Sequence, residues 1–319
     1  MRIEVLVSHI YEQHHFDRLV AEFPALSFTK LPSGEPWPEV VSRATALLFA
    51  GLRKPELSNL LRAAPRLEWI HTGSAGFDWV MVPEVEERGI VVTRSMDVMS
   101  IPIAEFVLGA MLRNAKNFPA LEAAQARREW KPPFHQELRG KEVLVVGAGS
   151  IGTRVARLCA AFGMRVVGIS RSGQANDAFT AIGTPDVLDV LLPAADYVVL
   201  TAPGTPETEG MFDARRLGLM KEGSYLINVA RGSLVVEADL LAALASGRLA
   251  GACLDAFTVE PLPPDSPLWG ADNLFISPHA SYRTPEIRAR VFDEFSRNLR
   301  ALLEGRPLAG RMRNKELGY

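Results

Sequence analysis

Cysteine is nearly missing from this chain: Cys159 and Cys253 are the only two in 319 residues. Both stand among apolar neighbours, one on a helix-like run and one on a strand-like run. That excludes a disulfide framework and predicts two buried free thiols, as in a reducing, cytoplasmic setting. Long apolar runs are also lacking. None reaches the roughly 18 residues needed to cross a bilayer, and the opening MRIEVLVSHI turns polar too early for a signal peptide. No membrane role is expected. Net charge is small, formally −2, without a dense Lys/Arg tract, which argues against nucleic acid as the main partner. No internal repeat or low-complexity tract occurs, and no metal site is expected.

What is present is ordinary globular composition, 48% hydrophobic and 23% charged, in a length that suits two domains. In the first hundred residues, Ile3–Val7, Ala46–Ala50, Leu67–Ile70 and Ile90–Thr93 read as strands. Phe16–Phe23 and Pro55–Ala64 read as helices, a βα alternation that predicts a parallel sheet. A long helix, Ile103–Asn117, follows, and then a polar stretch, Ala124–Gly140. Six further strands are predicted at Glu142–Val146, Arg165–Ile169, Tyr197–Leu200, Tyr225–Asn228, Gly251–Leu254 and Leu274–Ile276, the number expected of a doubly wound dinucleotide domain. Thr284-Pro285 opens a late amphipathic helix running to Leu303, placed to return to the first domain. The expectation is an α/β protein of two Rossmann-like/flavodoxin-like parallel-sheet domains with an active-site cleft between them. The substrate domain is discontinuous, 1–101 plus 283–319, and the cofactor domain is 102–282.

Within the second series, Gly147-Ala-Gly-Ser-Ile-Gly152 joins a strand to a helix. Gly147, Gly149 and Gly152 stand where a dinucleotide fold needs a tight turn, close approach to a pyrophosphate and close helix–strand packing. Ser150 and Ile151 open the helix whose N-terminus favours the negative charge. About 20 residues on, an NAD site needs a carboxylate for the ribose hydroxyls. Here the second strand ends in Ser170-Arg171-Ser172, a cation flanked by two hydroxyls that suits a 2′-phosphate. NADP(H) is therefore favoured, with NAD(H) the alternative.

Three polar residues follow later strands. Arg231 comes after Asn228-Val-Ala230, Glu260 after Leu254-Asp-Ala-Phe257, and His279 after Ile276-Ser-Pro278. Reduction of a ketone builds negative charge on oxygen that a histidine can protonate, with a carboxylate holding the ring. A guanidinium can grip a substrate carboxylate and polarise the carbonyl. On spacing alone the bland readings stay open: Arg231 as a helix cap, Glu260 as surface charge before Pro261, His279 as a core histidine. The remaining histidines are less apt. His9, His14 and His15 have no comparable polar partners nearby in sequence, His71 has no following carboxylate, and His135 lies in the polar stretch.

The ordered series Asn228-Val-Ala-Arg-Gly232, Val236-Glu-Ala-Asp-Leu240, Leu254-Asp-Ala-Phe257, Glu260-Pro261 and Pro278-His279 resembles the D-isomer-specific 2-hydroxyacid dehydrogenase family over nearly the whole chain. The resemblance implies that Arg231 binds and orients a 2-oxoacid, His279 is the acid/base and Glu260 its partner. It implies that Asp255 lies near the nicotinamide–ribose end of the cofactor, that Thr201, Ala202, Pro203 and Thr208 pass beneath it, and that Val229 and Ala230 line it. His71-Thr-Gly-Ser-Ala-Gly-Phe-Asp78 resembles the family's carboxylate-receiving loop, with Ser74, Ala75 and Gly76 its contacts. Substrate preference is expected to depend on Phe49–Gly51, Met96, Trp130, Tyr282 and Arg283, with Gly51, Tyr282 and Arg283 the leading contacts. Arg283 reads equally as a second substrate cation or a solvated helix-end residue. The resemblance further implies a homodimer joined through the helix Ile103–Asn117 and the arm to Gly140.

Glu260-Pro-Leu-Pro-Pro-Asp-Ser-Pro-Leu-Trp269, Arg171 and the terminal Gly-Tyr319 are similar to the bacterial glyoxylate/hydroxypyruvate reductase branch, which implies NADPH-dependent reduction of small 2-oxoacids to D-2-hydroxyacids. The alternatives are an NAD-dependent D-2-hydroxyacid or phosphoglycerate dehydrogenase and, in another class, an NAD(P)-sensing corepressor-like protein. The intact trio argues against the last.

Overall fold

The computed structural model describes residues 3–74, 76–77 and 79–312. Its first elements are β1 (Glu4–Val7), α1 (Gln13–Glu22), β2 (Ser27–Lys30), β3 (Ala46–Phe49), α2 (Lys54–Ala63), β4 (Trp69–Thr72), α3 (Pro83–Glu87) and β5 (Val91–Arg94). Helices α4 (Ser100–Ala115) and α5 (Phe118–Ala126) lead into β6 (Glu142–Val146), α6 (Ser150–Ala161), β7 (Arg165–Ile169) and β8 (Ala181–Gly183). Then come α7 (Leu188–Leu191), β9 (Tyr197–Leu200), α8 (Ala214–Leu219), β10 (Ser224–Asn228) and α9 (Glu237–Ala245). Strands β11 (Leu249–Leu254) and β12 (Leu274–Ile276) and helix α10 (Glu286–Leu303) complete the described chain. The fold divides into two compact units, one up to Met99 and again from Thr284, the other Ser100–Arg283.

In the first unit the strands run parallel in the order β2-β1-β3-β4-β5, the flavodoxin-like winding. Strands β1, β3 and β4 are buried at every residue, as a sheet covered on both faces requires. Helix α2 buries Leu57, Leu60 and Leu61 against Leu6, Leu47 and Ile70 in one core. Helix α10 supplies the other cover. Its buried Ile287, Val291, Phe295 and Leu299 recur every four residues and, with Phe292, form one stripe, and Phe295 stacks on Trp69 at 5.2 Å between centroids. The late helix thus returns to the N-terminal sheet because its apolar stripe has a core to fill there.

The second unit holds a seven-stranded parallel sheet, β12-β11-β10-β9-β6-β7-β8. Its order reverses at β6, the strand that feeds the glycine turn. In open α/β sheets ligands bind at such a reversal, beyond the carboxyl ends of the strands. Helices α4 and α6 pack together on one face, with Cys159 Sγ 3.9 Å from Met111 Sδ. Cys159 and Cys253 are free and buried, as expected.

Several elements differ from the sequence reading. Strand β2 is a half-buried edge strand whose SFTK lacks a clear apolar run, and β8 is a three-residue edge that raises the expected six strands to seven. The long helix ends at Ala115, two residues early, because Asn117 adopts a left-handed φ of 47° and starts the separate helix α5. Among the described residues no helix is long and apolar enough to cross a membrane.

Candidate active site

The glycine turn is built as its spacing demands. Gly147 has φ +113°, and a Cβ there would stand 2.5 Å from Ala202 N. A Cβ on Gly152 would run into Gly147 O. Gly149 is different: its Cβ would meet nothing within 4 Å, so that face of the turn is open to a ligand. Helix α6 starts there with no side-chain cap on its N-terminal N–H groups, the donors a pyrophosphate accepts from. Thr201 braces the turn, its hydroxyl donating to Gly147 O at 2.7 Å. Thr208 braces its own loop, donating to Pro203 O at 2.7 Å and accepting from Thr205 N–H at 2.8 Å. Ala202, Val229 and Ala230 are nearly buried. The turn suits a dinucleotide.

Next to it lies a cavity of about 530 Å³ lined by Ala148, Ser170, Ser172, Gln174, Asn176 and Arg157, among others. Ser170 and Ser172 both line this cavity. Arg171 lies outside this lining. Its charge is felt by Glu207, whose carboxyl is held below the usual range first by the Thr205 hydroxyl and, more weakly, by Arg171. The cation on the cavity wall is Arg157 of α6, which sequence reasoning passed over. It pairs with Asp177 at 3.5 Å. Its only signal was its place on the same helix, five residues beyond Gly152.

Arg231, Glu260 and His279 all leave the carboxyl ends of β10, β11 and β12 in the second unit. His279 Nδ1 is 2.8 Å from Glu260 Oε2, and each side chain is 28% exposed. Glu260 Oε1 accepts from Phe257 N–H at 2.9 Å, so the carboxylate is aimed by its own loop. Arg231 is set by Asn228, fully buried, whose amide donates to Arg231 O at 2.9 Å and whose oxygen accepts from Ala230 N–H at 3.0 Å. Gly232 is obligatory there, since a Cβ would collide with Phe257 backbone. The Tyr282 ring meets His279 edge-on at 6.2 Å.

Asp255 is only 1% exposed, and its carboxylate is occupied by protein. It accepts from the hydroxyls of Ser277 and Ser281, both at 2.5 Å, from Ala280 N–H at 2.8 Å, and from Ser281 N–H at 3.0 and 3.2 Å. These bonds hold the loop in which His279 sits at a left-handed φ of 50°, a conformation costly for a non-glycine residue.

In the first unit, the loop after β4 is tied by Ser74, whose hydroxyl donates to Gly76 O at 2.5 Å and lies 2.9 Å from Thr72 Oγ1. Ala75 falls outside the described residues. Phe49 is buried, so Gly51 rather than Phe49 is presented at the end of β3. Met96 is exposed, and Trp130 is 98% exposed on the arm. His71 is a core histidine, bonded to Thr93 Oγ1 at 2.8 Å and Ser95 Oγ at 3.3 Å. Burial pushes it down to about 3, which removes it as an acid/base near neutrality.

Known proteins resemble this chain in sequence and fold. A family model described as D-isomer specific 2-hydroxyacid dehydrogenase, NAD binding domain, matches residues 108–281. A glyoxylate reductase from Thermofilum pendens is 36% identical over 256 residues, covering 78% of this chain and 75% of that protein. A D-isomer specific 2-hydroxyacid dehydrogenase from Xanthobacter autotrophicus Py2, solved with NADPH and MES, superposes with a TM-score of 0.87 at 31% identity, covering 100% of this chain and 99% of that one. An NADPH-dependent glyoxylate/hydroxypyruvate reductase from Sinorhizobium meliloti, solved with NADP and sulfate, gives 0.86 at 27% identity and covers 100% of both chains. With its glycine turn, its Arg–Glu–His set on successive strand ends and these matches, the chain belongs to the D-isomer specific 2-hydroxyacid dehydrogenase family.

Proposed function

We propose that this protein is an NADPH-preferring reductase of small 2-oxoacids, glyoxylate or hydroxypyruvate, to D-2-hydroxyacids. The observation that carries the reading is the 2.8 Å pair between His279 Nδ1 and Glu260 Oε2. With Nδ1 committed to the carboxylate, Nε2 is the nitrogen left to deliver a proton. Arg231 binds the oxoacid carboxylate and polarises the adjacent carbonyl. The loop of Ser74 and Gly76 offers backbone N–H groups suited to a carboxylate.

Gly147, Gly149, Gly152 and the N-terminus of α6 would hold the dinucleotide. When bound, the reduced nicotinamide supplies the hydride. As C2 accepts that hydride, the carbonyl π pair moves onto oxygen, and His279 transfers its Nε2 proton there, leaving a neutral imidazole. Glu260 stabilises the imidazolium before transfer and keeps the ring from rotating.

Preference for the phosphorylated cofactor is supported by the absence of a carboxylate at Ser170–Ser172 and by the NADPH and NADP named for two structural relatives. We also propose a homodimer through α4 and the arm that follows, where Trp130 and Phe134 are almost fully exposed, an unusual place to leave large apolar rings.

Steady-state reduction of a 2-oxoacid panel with NADPH and NADH tests the reading. H279A is expected to lower kcat by at least about a hundredfold with KM little changed, the scale of general-acid catalysis. R171A is expected to raise KM for NADPH about tenfold, as for one charge-assisted contact, while leaving NADH alone. Wild-type turnover by H279A, or an unchanged NADPH constant in R171A, would remove the corresponding assignment.

A further inference from the structure

An imidazole with one buried nitrogen that lacks a hydrogen-bond partner stands beside the candidate substrate residues of the first unit. Ser8, fully buried, directly follows β1. Its N–H donates to Leu48 O at 3.1 Å, and its hydroxyl accepts from Ala50 N–H at 2.9 Å. That pins the residues after β1, His9 and Ile10, against those after β3, Ala50 and Gly51. Gly51 has φ +74°, and a Cβ on it would lie 2.5 Å from Ile10 Cγ2, 3.4 Å from His9 Cε1 and 3.7 Å from His9 Nε2. Only glycine fits, and the Cε1–Nε2 edge of His9 therefore faces bare backbone at a residue we assign to substrate.

His9 Nδ1 is buried and has no hydrogen-bond partner. Such an atom demands an explanation in a native fold. The contrast is His71, a histidine of the same sheet, which is satisfied at both nitrogens. An orphaned N–H is tolerated less well than an orphaned lone pair, so the proton of neutral His9 belongs on Nε2, the side toward Gly51.

We infer that His9 is a specificity-determining residue that donates from Nε2 to a polar substituent on carbon 3 of the 2-oxoacid, making 3-hydroxylated oxoacids the preferred substrate class. This rests on the proposed function, with the Ser74–Gly76 loop taking the carboxylate. Strand β3 lies between β4 and β1, so that loop and His9 are two strand positions apart, roughly 9.6 Å. A three-carbon oxoacid hydrogen-bonded at both ends spans roughly 9 Å, which matches. A two-carbon oxoacid stops short of His9. The second carbon chooses the reaction and the third chooses the substrate.

The test is kcat/KM for hydroxypyruvate and for glyoxylate, with NADPH, in wild type, H9A and H9N. H9A is expected to lose about tenfold on hydroxypyruvate, the effect of one neutral hydrogen bond, and to keep its value on glyoxylate. H9N keeps an N–H donor on a shorter arm, so it should retain part of the discrimination, and it keeps the test open if H9A folds poorly. An unchanged ratio between the substrates, or an equal fall on both, overturns the inference while leaving the reductase reading intact. A wild-type protein that reduced neither oxoacid would defeat the reductase reading itself, and the selectivity of His9 with it.

Discussion

Replacing Glu260 by glutamine tests the charge and the acceptor that face the proposed acid/base. The carboxylate has two tasks: Oε2 meets His279 Nδ1 at 2.8 Å, and Oε1 accepts from Phe257 N–H at 2.9 Å. Glutamine keeps an oxygen for the Phe257 amide but turns its NH2, a donor, toward Nδ1, so both the charge and the acceptor facing the imidazole are lost. A hydrogen bond to a charged group contributes about 1.5–3 kcal/mol. Its loss corresponds to roughly 10- to 160-fold in rate. Both side chains are 28% exposed, so solvent screening favours the lower end, about tenfold. The assay is the decay of NADPH absorbance at saturating oxoacid, with KM for the oxoacid expected to stay near the wild-type value. E260A supplies the control. It also strips the acceptor from Phe257 N–H and should lower the melting temperature, whereas E260Q should not. An E260Q enzyme with wild-type kcat would refute the pairing. Equal melting shifts in E260Q and E260A would mean that Glu260 mainly holds its own loop.

Two further substitutions separate packing from ligand approach in the glycine turn. G152A forces a methyl into Gly147 O and should lower both the melting temperature and NADPH affinity, since overpacking costs about 1–3 kcal/mol. G149A, whose Cβ meets no protein atom within 4 Å, should melt like wild type yet bind NADPH at least about tenfold more weakly in a fluorescence titration, if a methyl there obstructs the pyrophosphate and displaces about one charge-assisted contact. Equal affinity would show that the pyrophosphate does not approach that face. His71 makes a prediction about acid stability. Burial lowers its folded value from 6.5 to about 3, so the unfolded chain takes up a proton that the folded one refuses. The stability it contributes is complete above about pH 6.5 and is lost progressively as pH falls toward about 3. H71Q should therefore flatten the urea midpoint against pH across that window, and an unchanged slope would contradict it.

Much of the site was legible because its chemistry is punctuated locally. Glycines at 147, 149 and 152 are forced by collisions within a few residues, and Arg231, Glu260 and His279 each follow a short apolar run that could only be a buried parallel strand. The elements that escaped were those whose identity depends on neighbours. Strand β2 is half polar because it lies at an edge, and β8 has three residues whose pairing with β7 makes them a strand. The grip of the Asp255 carboxylate on Ser277, Ala280 and Ser281 joins residues more than twenty positions apart. Arg157 and His9 escaped for the same reason. A helix face and a strand exit acquire meaning only when the sheet order sets them beside Ser170 or Gly51.

By itself, then, the sequence determined the layout of two wound sheets, the presence of a dinucleotide turn and three residue types suited to hydride transfer, since each is written in local spacing and backbone sterics. Only the tertiary structure decided the pairing of Nδ1 with Oε2, the burial that disarms His71, the anchoring of the His279 loop on Asp255, and the edge His9 presents to Gly51. Those are matters of distance, burial and direction between residues far apart in the chain. Hydrogen bonds and desolvation act through space, so they take their values only after parallel strands have been set side by side.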